Sequence, residues 1–293
     1  MRETISINNF ADLLAVSRAT VVAWIKKGKY HVHEDKGKRF FYVDELEEVK
    51  EVKSMLHTHW NEEKIVHPLQ RYTSVELFAG AGGLALGMEK AGFHHLLLNE
   101  IDHNACETLR KNRPEWNVVE GDIHEVDFSP LKGKVDFLSG GFPCQAFSYA
   151  GKRLGFEETR GTLFFELARA VKEIQPAVFL CENVKGLLEH DNGRTMETIK
   201  GVISEIGYTL VEPRVLRAIQ YDVPQKRERL ILIAIRNNIA PKVHFEWPDV
   251  CDGVRTLRDA FYKGALFDKD VPQSQGQQYP ESKRQVMELV PEG

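Results

Sequence analysis

The apolar run from Val135 to Leu138 breaks off at Gly140-Gly141, and Pro143 and Cys144 follow at once. An apolar run bounded by turn residues is what a strand buried in a parallel sheet looks like. The paired glycines end that strand, and the proline stiffens the loop after it. One thiol is therefore held at the carboxyl edge of an open α/β sheet, where such sheets bind their ligands. A thiol near its ordinary pKa of ~8.5 becomes a good nucleophile only when its surroundings favour the thiolate. The alternative is a buried structural cysteine in a loop.

Earlier in the chain, Ser74-Val-Glu-Leu-Phe-Ala-Gly-Ala-Gly-Gly83 is a strand running into a glycine-rich turn, and a helix is expected from Leu84 to Ala91. Glycines let the backbone approach a ligand, and the helix N-terminus offers free N–H donors. About twenty residues on, His95-Leu-Leu-Leu-Asn-Glu100 is a second strand ending in an acid suited to ribose hydroxyls. A third, Val118-Val-Glu-Gly-Asp122, ends in an acid suited to an adenine amino group. Each acid could equally be a helix N-cap. Together they describe an adenosine pocket. Gly80, Gly82 and Ala85 also satisfy the loose dinucleotide fingerprint, so this half leaves both a dinucleotide and S-adenosylmethionine open.

Residues 1–50 form a small separate unit. Phe10, Leu13 and Leu14 sit at helical spacing, and Ser17 can cap a second helix bearing Val21, Val22 and Ile25. Lys38 to Val43 reads as a strand, and Asp44 can cap a last helix from Glu45. The pattern resembles the winged helix-turn-helix of the excisionase and MerR families, which implies DNA contacts by Arg18, Thr20, Lys26, Lys27, Lys38 and Arg39. A protein-contact module is the alternative. Residues 51–71 read as a charged, solvated linker with His57, His59 and His67. These lack a fourth ligand at suitable spacing, and no metal site is expected.

In the remaining half, a polar loop follows Cys144. A helix is expected from Gly161 to Lys172, then a buried strand from Ala177 to Cys181 ending in Glu182-Asn-Val184. Gln225, Arg227 and Arg229 alternate ahead of another strand, Leu230 to Ile235, and share a face if extended. Lys242 to Pro248 reads as a strand and Val254 to Ala260 as a helix.

These blocks, in this order, resemble the DNA cytosine-5 methyltransferases: Phe78-Ala-Gly-Ala-Gly-Gly83, Glu100, Gly121-Asp-Ile123, Gly141-Phe-Pro-Cys-Gln145, Glu182-Asn-Val184 and Gln225-Lys-Arg-Glu-Arg229. The resemblance spans roughly residues 72 to 240 and implies an α/β, seven-stranded Rossmann-like sheet. It implies S-adenosylmethionine as cofactor, held by Phe78, Ala79, Gly80, Gly82, Gly83, Leu84, Glu100, Ile101, Asp122, Ile123, Pro143 and Leu163. It implies duplex DNA as substrate and Cys144, Glu182, Arg227, Arg229 and Gln225 as catalytic residues. Cys144 would add to cytosine carbon 6, and Glu182, with a raised pKa, would serve ring nitrogen 3. The setting it implies is the modification enzyme of a restriction-modification system.

The family's blocks that follow and flank its recognition region are not found before Gly293. Residues 72–293 are therefore expected to be an incomplete catalytic domain, either truncated or partnered by a C-terminal recognition segment or subunit. A DNA-binding autoregulator is another reading. A tRNA methyltransferase is disfavoured, because that branch's Cys-Phe-Thr signature is not found. The net charge of -4 advertises no polyanion partner, although local basic patches remain compatible with nucleic acid. Without a signal peptide or a bilayer-length apolar run, a cytoplasmic location without membrane contact is expected. The spacing of Cys106, Cys144, Cys181 and Cys251 fits neither a metal site nor a disulfide framework.

Overall fold

The computed structural model describes residues 2–63, 67–142, 163–257 and 259. Met1–Val254 form one compact unit and Arg255–Gly293 a second. The first unit is built on a mixed sheet. β4 (Thr73–Leu77), β5 (His94–Glu100), β6 (Val118–Glu120), β7 (Phe137–Gly140) and β8 (Val178–Val184) are mutually parallel. β11 (Glu228–Arg236) runs antiparallel beside β8. β9 (Tyr208–Leu210) and β10 (Arg214–Arg217) both pair with β11. They are two pieces of one edge strand, broken where Pro213 cannot donate to a ladder. Counted so, the sheet has the seven positions expected, in the order β6-β5-β4-β7-β8-β11 and then the broken edge.

The chain leaves β4 toward β5 and β6, then returns to β7 on the other side of β4. That reversal opens a crevice at the carboxyl ends of β4 and β7. Apolar residues on alternate faces of the strands explain the layers: Leu97 joins the larger core, while Leu98 joins a smaller one with Ala85, Leu109 and Trp116. α5 (Gly83–Lys90) and α6 (His103–Asn112) cover the smaller core. α7 (Leu163–Ile174) and α8 (Arg194–Glu205) cover the larger. α7 buries Phe164, Phe165, Leu167, Val171 and Ile174 on that side, each contributing roughly 1.5–3 kcal/mol. Gly140 is required by this packing, because an added Cβ would sit 2.6 Å from Leu167 Cδ1.

Polar groups inside are tied. His95 is buried; its Nε2 donates to the Ala85 carbonyl, which can only accept, so Nδ1 accepts from the Ser74 hydroxyl. Burial holds this imidazole's pKa below its usual value. Glu76, on central β4, is 3% exposed. Burial raises its carboxyl to about 8, against the opposing pull of the Ala85 N–H.

The N-terminal segment has its own core around Phe10, Leu13, Val21 and Phe41. β1 (Thr4–Ser6) leads to α1 (Ile7–Leu13) and α2 (Arg18–Lys26). The Ser17 side chain accepts from Thr20 N, the expected cap of α2. The Lys36-Gly37 turn, both at positive φ, closes a hairpin of β2 (His33–Asp35) and β3 (Lys38–Tyr42). Three expectations need correction. No side-chain cap opens the short 3₁₀ turn Val43–Leu46; Asp44 is bound by Arg2 instead. The charged connector is not simply solvated: α3 (Lys50–Leu56) buries Val52 and Met55 in the N-terminal core. Beyond α3, Thr58 and His59 bond to Val250 and Asp249. Lys242 to Pro248 is not a strand; Ala240–Lys242 is a 3₁₀ turn, and the rest is irregular and mostly exposed, with no partner strand among the described residues. In the second unit, Thr256 and Asp259 exchange side-chain-to-backbone hydrogen bonds, the reciprocal pattern of a helix start.

Candidate active site

Two groups of side chains meet at the carboxyl edge of the sheet. The first lies at the tips of β4, β5 and β6. Phe78 and Gly80 turn the chain at φ +57° and +54°. A Cβ on Gly80 or Gly83 would meet nothing within 4 Å, so the turn has open space above it. Gly82 is needed for a different reason: a Cβ there would strike Leu109 at 2.6 Å. Ala79 is buried, and Leu84 is half-buried in the first turn of α5.

Glu100 ties the strand ends together. Its Oε2 accepts from Gly80 N at 2.7 Å, and its Oε1 accepts from Ile101 N and Asp102 N at 2.8 Å. A carboxylate has about four acceptor positions, so one is left for a ligand hydroxyl. Ile101 beside it is 67% exposed, an apolar side chain at the rim. Asp122 caps the short 3₁₀ turn Ile123–Glu125, accepting from the His124 N–H. That hydrogen bond is the largest cause holding its carboxyl below the usual range, with the His124 side chain next. Ile123 is buried in the main core. Arg169 of α7 donates to the Ile123 and Val126 carbonyls and so fixes this turn; sequence reading gave no role to Arg169. Leu163 opens α7 and packs against the same core.

The second group lies at β7, β8 and β11. Glu182 is half-buried on β8, inside the strand rather than beyond its tip. Its Oε1 is 2.6 Å from Arg229 Nε and 3.8 Å from Arg227 Nη2. Antiparallel pairing of β11 with β8 makes this meeting, since Arg229 registers with Val184 and Ile231 with Glu182. Glu182 Oε2 faces the other way: a Cβ on Gly141 would lie 3.4 Å from it. Asn183, 3% exposed, donates its amide to the Phe142 carbonyl at 2.8 Å. Thus β8 grips the backbone just before Pro143-Cys144. Pro143 and Cys144 themselves lie outside the described residues. Gln225 is exposed and is not brought to Glu182 with the two arginines. Cys106, Cys181 and Cys251 are buried free thiols, and burial raises the first two.

A glycine turn with two strand-end acids on one side, and a carboxylate between guanidiniums beside Gly141 on the other, is the arrangement expected of a methyl-transferring sheet. The C-5 cytosine-specific DNA methylase family model matches residues 72–287. The chain belongs to that family. Its methyl donor is S-adenosylmethionine, and the open turn, the remaining acceptor on Glu100 and the exposed Ile101 fit an adenosyl group.

Type II methyltransferase M.Eco47II of Escherichia coli is 55% identical over 100% of this chain and 70% of its own length. M.PspPI of Psychrobacter sp. is 53% identical over 97% of this chain and 68% of its own. Among solved structures, a prophage-encoded E. coli protein assigned as a DNA modification methyltransferase superposes with a TM-score of 0.54 at 29% identity, over 65% of this chain and 54% of that one. No described helix is long and apolar enough to cross a membrane.

Proposed function

We propose that the chain methylates carbon 5 of cytosine in duplex DNA, as the modification enzyme of a restriction-modification system, through a covalent bond to Cys144. The observation that carries this reading is the convergence of Glu182, Arg227 and Arg229 beside Gly141, with Asn183 gripping the residue two before Cys144. The other three cysteines are buried.

Carbon 5 of cytosine is too electron-poor to be methylated directly. The Cys144 thiolate forms a bond to carbon 6, and negative charge develops toward ring nitrogen 3. Glu182 meets that nitrogen with Oε2, the oxygen on the Gly141 side, donating or sharing a proton there. Arg229 orients the carboxyl through Oε1, and with Arg227 it reaches the cytosine carbonyl and a backbone phosphate. Gln225 helps position the base. S-adenosylmethionine would be held by Glu100, Asp122 and the Gly80–Gly83 turn, and when bound it would supply an electrophilic methyl group to carbon 5 and leave as the thioether. Loss of the carbon 5 proton then returns the electron pair that breaks the bond from sulfur to carbon 6. The base must leave the helix for any of this.

The N-terminal unit is a DNA-binding module in this reading. Arg18, Lys26, Lys27, Lys38 and Arg39 are exposed on α2 and the β2–β3 hairpin, whereas the Thr20 hydroxyl is engaged by Ser17. Autoregulation through this unit is the second reading, favoured by the same exposed cations.

The test is transfer of a radiolabelled methyl group to duplex DNA and to tRNA. It is run with the chain alone and with a second polypeptide carrying the C-terminal part of a longer relative. Label should enter duplex cytosine, and Cys144→Ala should abolish it with the fold intact. Methylation at the wild-type rate by folded Cys144→Ala removes the mechanism. So does a trapped adduct of 5-fluorocytosine on another cysteine.

A further inference from the structure

From Lys226 to Arg229 the side chains alternate between two partners. Arg227 and Arg229 face Glu182. Lys226 and Glu228 face the N-terminal segment and its neighbours. Lys226 Nζ is 2.5 Å from Asp12 of α1. Glu228 accepts from Arg217 Nε at 3.1 Å and lies 3.4 Å from Lys185 Nζ. Arg217 closes β10 and spends a second nitrogen on the N-terminal segment: Nη1 reaches the Leu13 carbonyl at 3.2 Å and Glu51 of α3 at 3.4 Å. One guanidinium thus joins the end of α1, α3 and the first residue of β11.

Val250 and Val254 pack on the N-terminal core, but the contact at the end of α1 is not filled. A cavity of about 250 Å³ separates α1 from this stretch, lined by Ala15, Val16, Ile219 and Arg227 among others. Beside that gap, the polar bonds are what join this end of α1 to the stretch from Lys226 to Glu228. The Lys226 pair contributes little, because Lys226 is 69% exposed and water competes for both partners. Arg217 is 24% exposed and holds three acceptors through a rigid fork, which a lysine cannot reproduce.

We propose that Arg217 is a positioning residue for methyl transfer: it ties Glu228 to the N-terminal segment and so holds Arg227 and Arg229 against Glu182. The catalytic part of this rests on the function proposed above, while the clamp itself does not. The N-terminal segment is then part of the scaffold of the active site and not only a tethered DNA-binding module.

The test uses the full chain, with Arg217→Met, Arg217→Lys, Glu228→Gln and the double variant Arg217→Met/Glu228→Gln. One readout is water exchange at the Arg229 Nε–H by NMR, assigned with Arg229→Lys. The other is methyl-transfer kinetics with the C-terminal polypeptide supplied. Arg217→Met should speed exchange at Arg229 about tenfold and lower kcat about tenfold, with KM for S-adenosylmethionine held within about twofold. Arg217→Lys should fall between, and it carries the test if the methionine variant does not fold. The double variant should lose no more than either single one, since both break the same link. Unchanged exchange at Arg229 in a folded variant overturns the clamp. Fast exchange with undiminished kcat overturns its catalytic part. A wild-type chain that methylates nothing refutes the proposed function, and exchange at Arg229 still decides the clamp.

Discussion

Glu76 makes the stability of this chain fall as pH rises toward 8. Its carboxyl is buried on the central strand, and burial raises its pKa from 4.5 to about 8 against the weaker opposing pull of the Ala85 N–H and the Ser139 hydroxyl. In the unfolded chain it ionises near its ordinary value. Between those limits the folded state keeps a proton that the unfolded state has released, so stability decreases with pH. A shift of one unit is worth about 1.4 kcal/mol, and integrating from pH 5 to 8 gives a loss of roughly 3–4 kcal/mol. Glu76→Gln removes this titration and keeps the shape. His95 works in the opposite sense, because its lowered pKa costs stability as pH falls. It remains in both proteins, so it cancels in the comparison. Urea unfolding of both proteins at pH 5, 6, 7 and 8, followed by circular dichroism, should show wild type losing that much more stability than Glu76→Gln. A difference that changes by less than about 1 kcal/mol across the range, or grows the other way, would refute burial as the cause.

Asn183→Leu should remove the hydrogen bond to the Phe142 carbonyl, costing roughly 0.5–1.5 kcal/mol in urea unfolding, and should lower methyl transfer more than cofactor affinity. Gly140→Ala should destabilise by roughly 1–3 kcal/mol, because the new methyl meets Leu167 Cδ1 at 2.6 Å; unchanged unfolding would show that the helix yields. The double substitution Lys26→Gln/Lys27→Gln should reduce the slope of log affinity against log salt for duplex DNA by about 2. An unaltered slope would favour a protein-contact role for the N-terminal unit.

Most of the main sheet was legible, because its strands are short apolar runs that end in glycine or acid. The register between β11 and β8 was not, and it decides whether Arg229 meets Glu182. Lys242 to Pro248 misled because its apolar residues alternate with no strand to pair with among the described residues. The connector looked solvated because its charges outnumber Val52 and Met55, the residues that bury it. Alternation of Gln225, Arg227 and Arg229 was visible in the sequence. The complementary face, Lys226 and Glu228, was equally visible but had no partner until Asp12 and Arg217 came near in space.

The switch at β4 explains how the two halves of the proposed reaction can be separately built yet adjacent. Strands on one side of the crevice end in the acids Glu100 and Asp122. Strands on the other end in the Glu182 group and in Gly141-Phe142. Glu100 binds the turn after β4 through Gly80, and Asn183 binds the end of β7 through Phe142. β4 and β7 are direct neighbours, paired from Ser74 with Phe137 to Leu77 with Gly140, so the strands that lead to the two anchors lie a single strand spacing apart, about 4.8 Å. A methyl group crossing from one ligand to the other needs that closeness. It follows that substitutions widening the β4–β7 pair should slow transfer while leaving each ligand's binding intact, whereas substitutions at Glu100 or Glu182 should not separate those effects.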